Sequence, residues 1–205
     1  MTERSAPALH AKGPADVIAL ATRAYLGGEP IDMSALAQQV GIGRATLYRW
    51  VGNREELLGV VLAEAAERTF RSAERLALAA ASPEYVAGSS GGPEYVVDVI
   101  ARFMRAVLAA PGLKALTQRE PMVFIRLATT PGAIEDRAAT FIGELLERER
   151  KAGRLPLVLP APALAVAIVR ICDFHMYAHL LGRGAPEVET ALDIVRVLVG
   201  ARTPV

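Results

Sequence analysis

The sequence predicts an all-α protein, and three observations carry that expectation. Apolar residues recur in steps of three and four, at Val96, Val97, Ile100, Phe103, Met104, Val107 and Leu108, and again at Ile134, Ala138, Phe141, Ile142 and Leu145. That is the period of a helix with one buried face. No segment alternates apolar and polar residues as a half-buried strand does. Alanine is abundant and β-branched runs are short, a balance that favours helix. With 205 residues, 52% of them hydrophobic, the chain can bury a substantial core as one or two domains.

About nine helices are expected, in the following order. Pro14 suits a first helical turn, and Gly27-Gly28 ends that helix. Two short helices follow, within 33–52. Asn53 with Glu56 reads as a capping box that opens a long helix running to about Leu78. Ser82 to Pro93, with Gly88-Ser-Ser-Gly-Gly, reads as a flexible loop, and within it Pro83-Glu-Tyr-Val is echoed at Pro93-Glu-Tyr-Val. A helix from about Glu94 to Ala109 comes next, then a helical stretch from Leu113 to Ala128 interrupted by Pro121, and a turn at Thr130-Pro-Gly. Ala133 to about Ala152 forms another helix, stopped by Gly153. Beyond a proline-rich connector, Leu155 to Pro162, two last helices span about Ala163 to Leu181 and Pro186 to Val199.

Charge and cysteine content narrow the function. Lys+Arg at 23 against Asp+Glu at 22 excludes a globally basic coat for nucleic acid, so any DNA binding must come from a local patch. A single cysteine excludes an intramolecular disulfide framework and fits a reducing compartment. Met1 to Lys12 carries Glu3, Arg4, His10 and Lys12 and lacks the apolar block of a signal peptide. The apolar stretch Leu155 to Val169 is broken by Pro156, Pro160 and Pro162 and closed by Arg170, short of the roughly 20 residues of a membrane span. A cytoplasmic protein with no membrane partner is expected.

Residues 33–52 carry the functional signal. Small Ala37 lets two helices approach, Gly41 supplies a turn at positive φ, and Ile42, Leu47 and Trp50 form the apolar wedge between the helices. These are the parts of a helix-turn-helix. The second helix, about Arg44 to Val51, offers Arg44, Thr46, Tyr48 and Arg49 on its polar side. From Arg44 through Arg54 there are three arginines and no acid, so a near-neutral chain has one basic edge. The expected division is a DNA-binding domain over 1–55 and a helical ligand-binding and dimerisation domain over 56–205.

Gly41-Ile-Gly-Arg-Ala-Thr-Leu-Tyr-Arg-Trp followed by Gly52-Asn-Arg-Glu-Glu-Leu-Leu closely resembles the recognition helix and fourth-helix start of the TetR family of bacterial transcriptional repressors. The resemblance implies a homodimer that binds a double-stranded DNA operator through three N-terminal helices and a small effector through its C-terminal domain. Carried over by position, it implies base or phosphate contacts by Arg44, Thr46 and Arg49, a phosphate contact by Tyr48, and one by Arg54, where a lysine is usual. Gly43 stands where serine is frequent and Val51 where phenylalanine is frequent, and the N-terminal arm is not strongly basic. The missing hydroxyl at Gly43 puts one phosphate contact in doubt, and the arm does the same for minor-groove reading.

Arg119-Glu-Pro-Met-Val-Phe-Ile-Arg-Leu-Ala-Thr-Thr and Ile168-Val-Arg-Ile-Cys-Asp-Phe-His-Met-Tyr-Ala resemble the effector domain of the QsdR-type branch, regulators associated with the catabolism of lactones. This implies a small apolar or amphipathic effector, with a lactone among the candidates, and Asp173 and Tyr177 match the branch while His179 departs from it. On a helix, Arg170, Asp173 and Tyr177 share one face and Cys172, His175 and His179 fall near the opposite one. The first set is expected either in the effector pocket or as an internal ion pair. Phe103, Met104, Met122, Phe124 and Phe141 are further pocket candidates, against the alternative of ordinary core. Cys172, His175 and His179 permit a metal- or redox-responsive variant of the same repressor at this spacing, without being diagnostic of one. No metal or other cofactor is expected. Glu147-Arg-Glu-Arg-Lys reads as a solvated helix end. There is no P-loop, GxSxG elbow, HExxH or strand followed by GxGxxG, so an enzyme is not expected.

Overall fold

The computed structural model describes residues 13–80, 91–182 and 184–201. The N-terminal arm, most of the glycine-rich loop and the first Pro-Glu-Tyr-Val copy lie outside the described residues. Among those described there are ten α-helices and no strand: α1 Pro14–Leu26, α2 Met33–Val40, α3 Arg44–Val51, α4 Arg54–Ala80, α5 Pro93–Ala109, α6 Pro111–Arg119, α7 Pro121–Thr129, α8 Ala133–Lys151, α9 Ala161–Tyr177 and α10 Val188–Val199. A 3₁₀ turn, Ala178–Leu181, extends α9. The number exceeds nine because Pro121 does more than interrupt one helix. Glu120 takes φ −140°, ψ 58°, ending α6, and Pro121 opens α7 at a position where its missing N–H costs nothing.

Local chemistry sets the boundaries. At the start of α4 the Asn53 side chain accepts from the Glu55 and Glu56 N–H groups, and Glu56 Oε2 accepts from Asn53 N at 2.8 Å, the reciprocal pair that the sequence predicts. Asp32 caps α2 by accepting from Ser34 N and Ala35 N.

α4 is the spine. It packs against α1 on the N-terminal side and against α5 and α8 on the other. Phe70 of α4 is fully buried, stacked on Phe141 of α8 at 4.3 Å and edge-on to Phe103 of α5 at 5.6 Å. α9 is the second central element, packed between α8 and α10. It continues past Arg170, and 161–181 is long and apolar enough to cross a membrane. Its Leu164, Ala165, Ile168 and Met176 are buried in the bundle.

Two expectations for this half of the molecule are corrected. Gly91 and Gly92, read as part of a flexible loop, are pinned: Gly92 N donates to Glu149 at 2.8 Å, and a side chain at Gly91 would collide with Glu149 and Arg154. Glu149, read as solvated, is 2% exposed and holds Arg154 through both carboxylate oxygens. Burial pushes its carboxyl up, but the bonds from Arg154 and Gly92 outweigh that and hold it below the usual carboxylate range.

Candidate nucleic-acid interface and effector cavity

Three short helices build the basic edge. Val17, Ala21, Leu36, Ala37, Val40 and Leu47 are all buried between α1, α2 and α3. Ala37, at 4% exposure, is the small side chain at which α2 meets its neighbours. Gly41 closes α2 at φ 76°, ψ 39°, and its N–H reaches Ala37 O at 2.9 Å. A side chain there would incur the left-handed penalty of about 1–2 kcal/mol. Leu47 is fully buried, and Ile42 and Trp50 pack half-buried on the same core. The wedge therefore sits where its spacing placed it.

With Leu47 turned inward, α3 presents its other side to solvent. Arg44, Tyr48 and Arg49 are exposed and Thr46 is half-buried. The Arg44 guanidinium donates to Ser34 Oγ at 2.6 Å, a bond to a neutral partner that leaves its charge unneutralised. No acidic side chain bonds Arg44 or Arg49 among the described residues, so the positive edge is real. Gly43, which has no side chain to cap α3, occupies the N-cap position.

Arg54, expected at a phosphate, is paired within the protein. Its Nη1 and Nη2 donate to the two Glu120 carboxylate oxygens at 2.8 and 2.6 Å, and its Nε donates to Ile31 O at 2.9 Å. The hydrogen bond to Glu120 raises the Arg54 pKa, and the same bond holds the Glu120 carboxyl below its ordinary value.

Above this unit lies a cavity of about 70 Å³. Leu62, Ala65, Ala66 and Thr69 of α4 form one wall, with Val107 of α5, Leu113 of α6, Phe124 and Ala128 of α7, Ile134 of α8 and Tyr177 of α9 around it. Tyr25 and Leu26, from the end of α1, complete it. The lining is apolar apart from Thr69 and the two tyrosine hydroxyls. Phe124 and Tyr177 meet edge-on at 4.7 Å. Burial pushes the Tyr25 phenol up to about 12 and raises the Tyr177 phenol well above its ordinary value, so both stay protonated and can donate a hydrogen bond near neutral pH.

Of the eight residues expected in an effector pocket, only Phe124 and Tyr177 line this cavity. Phe103 and Phe141 belong to the aromatic cluster with Phe70, and Met104 is fully buried core. Met122 is 59% exposed, turned to the outer side of α7. Arg170 and Asp173 line a neighbouring groove with Glu135 and Phe174, where Arg170 Nε donates to Glu135 at 2.7 Å. Burial, then the Glu135 charge, push the Asp173 carboxyl up to about 7. Tyr25, Leu62 and Leu113 went unnoticed in the sequence. The signal for Tyr25 was its place on the apolar Val17, Ala21, Tyr25 stripe of α1, with an aromatic hydroxyl at the end.

Cys172, His175 and His179 are not gathered into a ligand set. Cys172 is buried, its thiol pushed up to about 12 by burial and then by the Asp173 charge, which disfavours the reactive thiolate. His175 Nδ1 is engaged with Glu187 Oε2 at 2.9 Å. Among the described residues no group of three or more His, Cys, Asp or Glu is placed to hold a metal ion.

Comparison with known proteins agrees with this architecture. Residues 91–200 match the family model for the tetracyclin repressor-like C-terminal domain. The transcriptional repressor QsdR of R. erythropolis, described as from the TetR family, superposes with a TM-score of 0.84 at 50% identity, over 94% of this chain and 96% of that one. The TetR family repressor AlkX of Dietzia sp. strain DQ12-45-1b, implicated in n-alkane biodegradation, superposes at 0.61 with 20% identity, over 92% and 94%, and shares the fold. No curated protein matches. A helix-turn-helix with an exposed basic face, an all-helical second half and these likenesses converge: the chain belongs to the TetR family of transcriptional regulators.

Proposed function

We propose that the protein is a cytoplasmic repressor that binds an inverted-repeat operator as a homodimer and is released by a small effector. Residues 1–55 form the DNA-binding domain and residues 56–205 the effector-binding and dimerisation domain. The observation that carries this reading is the presentation of α3, whose Leu47 is locked in the core while Arg44, Tyr48 and Arg49 are exposed and, among the described residues, have no acidic partner. In a dimer two such helices enter successive major grooves about 34–36 Å apart. Arg44 and Arg49 reach base edges or phosphates, Thr46 the groove wall and Tyr48 a phosphate. Phe174, Leu181, Ile194 and Val197 are exposed apolar side chains on α9, its 3₁₀ extension and α10. They supply the face for the second subunit.

The effector site is the cavity beside Tyr25. Ligand pockets span about 300–1,000 Å³, so a cavity of about 70 Å³ admits an effector only if its walls part. One wall is the end of α1, a DNA-domain helix, so the shape that binds effector well is not the shape that presents α3 as seen here. Such differential affinity is what release requires. Two protonated phenols in an apolar cavity suit a neutral molecule with an apolar body and a carbonyl acceptor. A lactone, the class suggested by the QsdR-type resemblance, meets that description. Nothing in this role calls for catalysis.

The test is a gel-shift titration on DNA selected by the protein from a randomised pool. Loss of a specific arginine contact costs about 1–3 kcal/mol, twice per dimer, so Arg49→Ala weakens binding at least tenfold while sedimentation still reports a dimer. Unchanged affinity would remove Arg49 from the interface.

A further inference from the structure

Arg54 belongs by sequence to the basic edge but by geometry to something else. Its three guanidinium nitrogens are all committed, one to Ile31 O and two to Glu120. Ile31 is a buried residue of the α1–α2 connection, immediately before the Asp32 that caps α2. Glu120 is the single residue between α6 and α7, and both of these helices line the cavity, through Leu113 and through Phe124 and Ala128. One arginine thus joins the cavity wall to the start of the α2–α3 unit. The α6–α7 block is tied to the N-terminal helices elsewhere as well. Arg119 Nη1 donates to Gly28 O at 2.8 Å, Arg126 pairs with Glu55 at 2.5 Å, and Gly112 lies against the Tyr25 backbone. Arg126 and Glu55 are each about half exposed, where water screens the charge. The Arg54–Glu120 pair is bidentate and less exposed, the geometry that fixes one orientation.

We infer that Glu120 is a positioning residue for DNA binding: through Arg54 it sets the placement of the α2–α3 unit according to the state of the cavity. Arg54 acts on Ile31 and Glu120, not on a DNA phosphate. The inference rests on the reading of α3 as the DNA-facing helix and of the cavity as the effector site. A planar fork is needed for it, since lysine keeps the charge but cannot bond two carboxylate oxygens and a carbonyl in one plane.

The experiment uses the full chain and a random-sequence 30-bp duplex, and reads two quantities. The first is the slope of log K against log salt, which steepens by about 0.9 for each DNA phosphate that the protein neutralises. The second is hydrogen exchange over residues 31–51. Glu120→Gln and Arg54→Lys each leave the slope at its wild-type value and speed exchange over 31–51 about tenfold. Ala128→Val, which crowds the cavity from α7, speeds that exchange in the wild-type background and adds nothing in Glu120→Gln. A slope about two steeper in the Glu120→Gln dimer, with exchange unchanged, overturns the inference, because Glu120 would then merely mask a phosphate-binding arginine. Unchanged slope and unchanged exchange overturn it too, as does an equal Ala128→Val effect in both backgrounds. Arg49→Ala is the control for the underlying reading. It flattens the slope by about two per dimer, and its failure to do so points to the DNA-facing assignment and not to Glu120.

Discussion

Replacing Gly112 by alanine tests the seam between the cavity wall and the first helix. An alanine Cβ at this position would lie 2.3 Å from Tyr25 O and 3.1 Å from the Tyr25 carbonyl carbon and ring Cζ. The first contact is about 1 Å inside ordinary van der Waals approach, and it is against backbone, which cannot rotate away. Helix propensity alone favours alanine over glycine by up to about 1 kcal/mol. Overpacking of a well-filled contact costs about 1–3 kcal/mol, so a net loss of about 1–2 kcal/mol is expected. For a chain of this size each kcal/mol moves Tm by about 2–4 °C, giving a drop of about 2–8 °C in a thermal melt. Displacement of α1 also shifts Tyr25 in the cavity, so hydrogen exchange at 22–28 should rise. A Gly112→Ala variant with wild-type or higher Tm and unchanged exchange would refute the claim that α6 and α1 are in fixed register.

Two carboxyl groups, the partly buried Asp173 and the buried Glu149, contribute to the pH dependence of stability. The Asp173 carboxyl, raised from 3.8 to about 7 in the folded chain, binds its proton more tightly there than in the unfolded chain. Stability therefore falls as pH rises from about 4 to about 7. The full linkage is about 4 kcal/mol, and the partial solvent access of Asp173 reduces it to about 2. Asp173→Asn should raise Tm by about 4–8 °C at pH 8 and leave it unchanged near pH 4; equal effects at both pH values would be inconsistent with this linkage. Glu149, held below its usual range by Arg154 and Gly92, gives the opposite sign: its contribution is present above about pH 4.5 and lost as pH falls below that. Glu149→Gln should lower stability by about 1–3 kcal/mol in urea unfolding at pH 7, less than for a sealed pair because Arg154 is one-third exposed. Phe70→Ala removes the ring stacked on Phe141 and edge-on to Phe103. It should cost about 3–5 kcal/mol in the same assay, and a loss below about 1 kcal/mol would mean that the cluster is not the packing centre.

What the sequence disclosed was local, and what it withheld was long-range. The α4 capping box, the Gly41 turn, the small Ala37 and the Ile42, Leu47 and Trp50 wedge each follow from residues within a few positions of one another, and all stand where expected. The same holds for Gly27 as the end of α1. The Arg54–Glu120 pair was not legible because the partner lies 66 residues away, and three arginines within eleven residues give no sign that one is paired inside the protein. Glu149 was hidden in part for the same reason: its charged neighbours on the helix face solvent, its partner Gly92 lies 57 residues away, and Arg154, five residues on, reaches back from beyond the helix end. The pocket candidates were chosen as aromatic and methionine residues near the middle of the chain, but composition does not say which face of a helix meets a void. Phe103, Met104 and Phe141 fill core, Met122 faces outward, and the cavity is made largely of alanines and leucines that carry no chemical signature.

Repression as proposed requires α3 to read DNA as one of two symmetric copies. Selection of bound duplexes from a randomised pool by the full-length protein, followed by sequencing, tests this directly. The expected product is one enriched inverted repeat with half-site centres about one helical turn apart, lost when the selection is repeated with Arg49→Ala. Enrichment of an unrepeated sequence, or of none, with a variant that selects the same DNA as the wild type, would contradict it.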